Sequence, residues 1–199
     1  MAKVENLTVQ YGGTAVLENF SAEFPDGGVT AVSGRSGCGK TTLLAVLLGL
    51  LRPDGGTVSG FRQPSAVFQE DRLLPFLSAE KNIAVTAGCT ESEAGEALLS
   101  VGFDAADRGK RAFELSGGMA RRVAIVRAML APGDAVLLDE PFKKGLDERT
   151  RAQVVRFVCE NRRGRTMVVV THDPRDAKAL HAAHTVQMGG QPAQTDKHA

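Results

Sequence analysis

The chain has no tryptophan, one tyrosine, three cysteines and no long apolar run. Each shortage excludes something. The most apolar stretch, residues 43–51, is interrupted by Gly49 and falls far short of the ~20 residues a membrane-spanning helix needs. The first residues, MAKVENLTV, carry an acid early and lack the apolar core of a signal peptide. Together these predict a protein that stays inside the cell and meets any membrane through a partner. Cys38, Cys89 and Cys159 are odd in number and far apart, which argues against a disulfide framework or a zinc site and for cytosolic thiols. Charge of one sign is also scarce: 24 Lys and Arg stand against 23 Asp and Glu, for a formal net charge of +1. No broad basic face advertises nucleic-acid binding.

What is present is an ordinary globular composition, 43% apolar over 199 residues, enough for one core with a small inserted lobe. Residues 4–10 alternate apolar and polar like a strand, and Gly12-Gly13 marks a turn. A second strand is expected at 21–24, a buried one at 29–33, a helix at 41–51, a break at Pro53-Asp54-Gly55-Gly56 and a strand at 66–68. From 73 to 115 strand patterns vanish, and 91–101 reads as an amphipathic helix. A helix at 118–130, a strand at 135–138, a helix at 148–162 and a strand at 167–170 follow. Alternating strands and helices predict an α/β fold with a mainly parallel sheet. Residues 189–199 are polar and are expected to fray.

Gly34-Arg35-Ser36-Gly37-Cys38-Gly39-Lys40-Thr41, followed by Thr42, fits the phosphate-loop pattern G-x-x-x-x-G-K-[ST], with a buried strand before it and a helix after it. Glycines let backbone N–H groups curl around a phosphate. The helix start adds unpaired N–H groups and a favourable dipole. Lys40 offers a point charge to the β- and γ-phosphates, and Thr41 a hydroxyl to Mg²⁺. GTPases, small-molecule kinases and motor ATPases share this loop, so it predicts nucleotide binding and leaves the reaction open.

Further residues narrow the choice. Leu115-Ser116-Gly117-Gly118-Met119 precedes a helix, and the apolar run Ala135-Val136-Leu137-Leu138 ends in Asp139-Glu140-Pro141. Gln69 follows Val67-Phe68, Gly145-Leu146-Asp147 follows Glu140, and His172 sits in Val170-Thr171-His172-Asp173. In this order the chain resembles the ABC-type ATPase family over essentially its whole length. The segments resemble, in turn, the Q-loop, the LSGGQ signature (with Met119 last), Walker B, the D-loop and the H-loop. Tyr11 resembles the A-loop aromatic.

The resemblance implies a P-loop NTPase fold with an N-terminal antiparallel β part and a helical subdomain at about 73–125, residues 1–199 forming one nucleotide-binding domain. It implies ATP and Mg²⁺ as cofactors. Tyr11 would stack on adenine. Thr41, Asp139 and Gln69 would face the metal. Glu140 would polarise the attacking water as general base, with Gln69 sensing the γ-phosphate and His172 holding the water in line. Ser116, Gly117 and Gly118, at a helix start, would meet the γ-phosphate held by a second copy of the chain. A helix cap is the plainer task for Ser116, and the two are compatible.

The implied partners are an ATP-dependent homodimer, transmembrane permease subunits and a solute-binding protein, with the chain peripheral on the inner face of the cell membrane. The apolar stretch Asp71-Arg72-Leu73-Leu74-Pro75-Phe76-Leu77 is the expected docking edge. Residues 68–75 resemble bacterial importers of the nitrate, sulfonate and taurine type. A soluble ABC ATPase of DNA repair or translation is the alternative; such proteins usually carry coiled coils, zinc modules or a second ATPase unit. One departure stands out. Asp147 lies seven residues after Glu140, where the family places it six on, so Lys143 or Lys144 is extra. Cys38 reads as a small loop filler or a favoured thiolate. His181 and His184 read as a solvated helix face.

Overall fold

The computed structural model describes residues 1–143 and 145–189, together with the backbone of 196–197. Lys144, and 190–195 and 198–199 of the polar tail, lie outside the described residues. The chain divides into two compact units. The first comprises Met1–Ala66, Gly133–Asp139 and Gly164–Ala199; the second comprises Val67–Pro132 and Glu140–Arg163.

The first unit opens with a hairpin of β1 (Ala2–Tyr11) and β2 (Thr14–Phe24). Gly12-Gly13 closes it, both at positive φ, the turn that suits strand twist. β2 is far longer than the expected 21–24. Its alternation is broken where Asn19 turns to φ 47° and the β1–β2 register shifts, so the period of two resumes out of phase. After β3 (Val29–Gly34) and α1 (Lys40–Leu47), β4 (Gly55–Ser59) joins the hairpin as a sheet of order β2-β1-β4. β4 begins inside the expected break. α1 stops at Leu47 instead of Leu51, because Gly49 takes φ 69°.

The second sheet has the order β5-β6-β7-β3-β8-β9, with β5 at Pro64–Val67, β6 at Ala135–Asp139, β7 at Thr166–Val170, β8 at His184–Met188 and β9 at Asp196–Lys197. β3, β6, β7 and β8 run parallel. β6 and β7 are buried at all five positions, as strands covered on both faces should be. The core of this unit joins residues of both sheets and α1: Leu7, Phe24, Val32, Leu43, Leu137 and Val168 belong to one cluster. Burying each such side chain contributes roughly 1.5–3 kcal/mol.

The second unit is helical: α2 (Ala79–Ala87), α3 (Glu91–Ser100), α4 (Gly117–Leu130) and α5 (Glu148–Asn161). α2 packs on α3 and α4, and α5 packs on α3 and α4. The Thr90 side chain caps α3 while Glu93 reaches back to the Thr90 N–H, a reciprocal box legible as T-x-x-E. The helical unit therefore reaches beyond 73–125, because α5 packs with these helices. His181 and His184 do not share a helix. α6 (Pro174–Ala179) ends first, His181 turns at φ 55°, and His184 opens β8.

Candidate functional site

β3, β7 and β6 place three chain segments at the carboxyl end of the parallel sheet, where α/β sheets bind ligands. β3 leads into the phosphate loop, β7 ends two residues before His172, and β6 ends at Asp139.

The loop conformation depends on glycine at two close approaches. A Cβ on Gly34 would lie 2.5 Å from the Met188 carbonyl and 2.8 Å from Cys38 Sγ. One on Gly39 (φ 94°) would lie 2.8 Å from Leu17 Cδ2. Gly39 stands at the N-cap of α1 with no side-chain cap, so the first helical N–H groups keep their donor capacity for an anion. Lys40 is 7% exposed, and its Nζ donates to the carbonyls of Gly34 and Arg35 at 2.8 Å each. The loop is thus curled around its own ammonium group. Cys38 Sγ lies 3.8 Å from that Nζ. Arg35, Ser36 and Gly37 form the exposed rim, and Thr42 is half-buried on α1.

Thr41 Oγ1 donates to Asp139 Oδ2 at 3.2 Å, bringing together two of the three expected metal-facing residues. Asp139 is 5% exposed. Both are hard oxygen donors beside the phosphate loop, a set that fits Mg²⁺, which binds through one or two carboxylates plus phosphate oxygens and waters. Among the described residues no group of three or more His, Cys, Asp and Glu could hold a metal by itself. His172 is exposed, and the turn that carries it is braced from below. Thr171 Oγ1 donates to Asp176 Oδ2 at 2.7 Å and accepts from the Asp173 N–H at 3.0 Å. Tyr11 ends β1 with 53% of its surface exposed, so its ring is open to a flat ligand.

In the second unit, Glu140 takes φ 46°, in the left-handed region, at a local cost of roughly 1–3 kcal/mol. Its carboxylate Oε2 lies 2.7 Å from Lys143 Nζ, with Glu140 11% and Lys143 65% exposed at their side chains. Lys143, one of the two candidates for the extra residue, thus sets an ammonium against the carboxylate of the expected base. Gln69 is exposed in the bend after β5.

Ser116 is exposed and caps α4, accepting the Met119 N–H at 3.3 Å. The two signature glycines differ. A Cβ on Gly117 would meet open space, whereas one on Gly118 would lie 2.2 Å from the Gly145 carbonyl. Gly118 is thus required by backbone packing against the D-loop segment, and Gly117 leaves the helix tip uncovered. Asp147 caps α5. The Thr150 N–H that it accepts at 2.8 Å holds its carboxyl below the usual carboxylate range.

The docking stretch is a built loop. Buried Asn82 accepts the Leu74 N–H at 2.7 Å and donates to the carbonyls of Leu74, Leu77 and Ser78. Phe76 is 77% exposed and meets Phe113, itself 58% exposed, edge to face, ring centroids 6.2 Å apart. Phe76 therefore does not pack the interior of its own unit. Sequence reading missed Asn82, Phe113 and Arg121. For Arg121 a signal existed: it shares a helical stripe with Gly118, Ile125 and Ala128, all buried.

Residues 17–143 match the family described as "ABC transporter". The chain is 40% identical over 182 residues to the aliphatic sulfonates import ATP-binding protein SsuB 3 of Paraburkholderia xenovorans, covering 89% of this chain and 72% of that one. It is 34% identical to the Fe(3+) ions import ATP-binding protein FbpC of Mesorhizobium japonicum, covering 94% of this chain and 58% of that one. The fold superposes on the dimeric ATP-binding cassette MJ0796, solved in a post-hydrolysis state with ADP and Pi, with a TM-score of 0.87 at 25% identity, covering 99% of this chain and 98% of that one. No helix among the described residues is long and apolar enough to cross a membrane. The motif order, the match over 17–143 and these relatives together make the chain a member of the ABC transporter family.

Proposed function

We propose that this chain is the ATP-binding and ATP-hydrolysing subunit of a bacterial importer, closing as a dimer around ATP and driving a membrane permease. The observation that carries the reading is the glycine-dependent loop curled around buried Lys40, with Thr41 and Asp139 3.2 Å apart beside it. The loop N–H groups and Lys40 hold the β- and γ-phosphates, and Tyr11 stacks on adenine. Thr41 and Asp139 would hold Mg²⁺, with Gln69 as the expected third group, and the ion would supply charge neutralisation to the phosphates. Glu140 accepts a proton from the attacking water, and His172 orients that water against the γ-phosphate. Ser116 and the N–H groups of Gly117 and Gly118 bind the γ-phosphate held by the other copy. Hydrolysis removes that contact and releases the dimer, a population shift with a named differential interaction.

The permease docks on 71–77, where Phe76 and Phe113 present an exposed aromatic pair. The subunit therefore works on the inner face of the membrane. A solute-binding protein completes the system, and its cargo is a small organic anion, a reading supported by the likeness to sulfonate-import proteins.

Lys40→Ala is expected to abolish ATP binding measured by calorimetry. Glu140→Gln is expected to keep ATP binding and lower turnover by about 100-fold or more. Full turnover in Glu140→Gln would remove Glu140 from this role, and retained affinity in Lys40→Ala would remove the loop.

A further inference from the structure

Arg121 carries a charge in the interior of the second unit, 1% exposed, and has no part in the chemistry described above. A buried guanidinium is costly unless its donors are met. Here they are met by two different segments. Nε donates to the Pro141 carbonyl at 3.0 Å, and Nη2 donates to the Glu140 carbonyl at 2.8 Å. Nη1 donates to the Phe68 carbonyl at 2.5 Å and to Asp71 Oδ1 at 3.0 Å. One planar fork thus joins 68–71, the segment of Gln69 and the start of the docking stretch, to the backbone of Glu140.

The same helix holds the segment a second time. Arg127 donates to the carbonyls of Asp71 and Arg72 at 2.8 Å each. The Arg72 guanidinium lies over the Phe68 ring, 3.7 Å from its centroid. Neighbouring Arg122 instead turns to the Gly118 and Gly102 carbonyls, so side-by-side arginines have separate tasks. Glu140 stands at φ 46°, a conformation that persists where surrounding contacts over-determine it. The fork at its carbonyl is such a contact. Its geometry is rigid and its five donors are fixed in a plane, so a shift of 68–71 is passed to 140–141 instead of being absorbed by a flexible stem.

We propose that Arg121 is a positioning residue that transmits the placement of segment 68–71 to the backbone of Glu140, so that a partner seated on 71–77 sets the aim of the Glu140 carboxylate. The inference rests on Glu140 activating water.

The test uses the full chain with three measurements: steady-state ATP hydrolysis, ATP-binding stoichiometry by calorimetry, and thermal melting. Asp71→Ala removes the side-chain acceptor at the far end of the fork and leaves the Phe68 carbonyl. It is expected to lower kcat about tenfold, with KM within about twofold and the stoichiometry of bound ATP unchanged. Asp71→Asn keeps an acceptor oxygen and is expected to restore most of the rate. Arg121→Lys loses the fork and is expected to lower kcat up to about 100-fold. In Arg121→Lys the Asp71→Ala change should then cost nothing further. Wild-type turnover in Asp71→Ala, or losses that simply multiply in the double variant, would overturn the proposal. If Arg121→Lys does not fold, the pair of Asp71 variants decides alone. Glu140→Gln run in parallel separates the two ideas. Retained hydrolysis there defeats the role of Glu140; lost hydrolysis there, with intact Asp71→Ala, defeats only the link.

Discussion

Replacing Gly118 with alanine adds one methyl group at the tightest approach in the signature segment. The new Cβ would lie 2.2 Å from the Gly145 carbonyl, where ordinary contact begins at 3.4 Å. The two backbones must part by about 1 Å, an overpacking that costs roughly 1–3 kcal/mol. Alanine recovers about 0.5–1 kcal/mol of helix propensity. The net loss, up to about 2.5 kcal/mol, lowers the melting temperature by up to about 10 °C for a chain of this size. Gly117→Ala is the internal control. Its Cβ meets nothing within 4 Å, so propensity acts alone and the melting temperature holds or rises slightly. Calorimetric scans of the two variants side by side, followed by ATP hydrolysis, are the assay. Because the displaced segment contains Gly145 and leads into Asp147, Gly118→Ala should also turn over more slowly than Gly117→Ala. Equal melting temperatures for both variants would refute the argument that Gly118 is required by packing.

Two further outcomes follow from the site. Lys143→Met removes the ammonium from the Glu140 carboxylate; because Lys143 is 65% exposed, the pair is worth at most about 1 kcal/mol, so turnover should rise by no more than about fivefold while the melting temperature stays put. A fall in turnover would mean that Lys143 aims the carboxylate instead of competing with water for it. Tyr11→Ala should raise KM for ATP by roughly two- to tenfold, the equivalent of about 0.5–1.5 kcal/mol of stacking, and Tyr11→Phe should restore it. An unchanged KM in Tyr11→Ala would leave the exposed ring without a ligand.

The phosphate loop was legible because its chemistry dictates its residues. A buried strand, a glycine-rich turn and a helix start have few sequence substitutes, and β3, the loop and the start of α1 lie where the pattern put them, although α1 ends four residues early. β6 and β7 were legible as uninterrupted apolar runs. Elements that depend on distant partners were not. β2 hides behind a bulge at Asn19, and β4 begins in glycines that read as a turn until β1 pairs with them. α2 starts at an ordinary Ser78 cap and buries the polar Asn82 beside Ala79 and Ile83, which breaks the apolar stripe that would declare it. Arg121 is the clearest case. An arginine in a helix reads as a solvated face; the stripe it shares with buried neighbours hints otherwise, but the carbonyls of Phe68, Glu140 and Pro141 and the Asp71 carboxylate that meet its donors come from segments distant in sequence. The second glycine of the signature was read as part of an anion site, whereas its neighbour Gly145 gives it a packing reason as well.

The claim on which the rest depends is that two copies clasp ATP between the Lys40 loop of one and the Ser116 helix tip of the other. Sedimentation velocity of the Glu140→Gln chain with ATP tests it directly, alone and combined with Ser116→Arg. The expected result is a dimer that forms only with ATP and is lost with Ser116→Arg, while each chain still binds one ATP. A Ser116→Arg dimer as stable as its parent, or a monomer with ATP bound in Glu140→Gln, would contradict it.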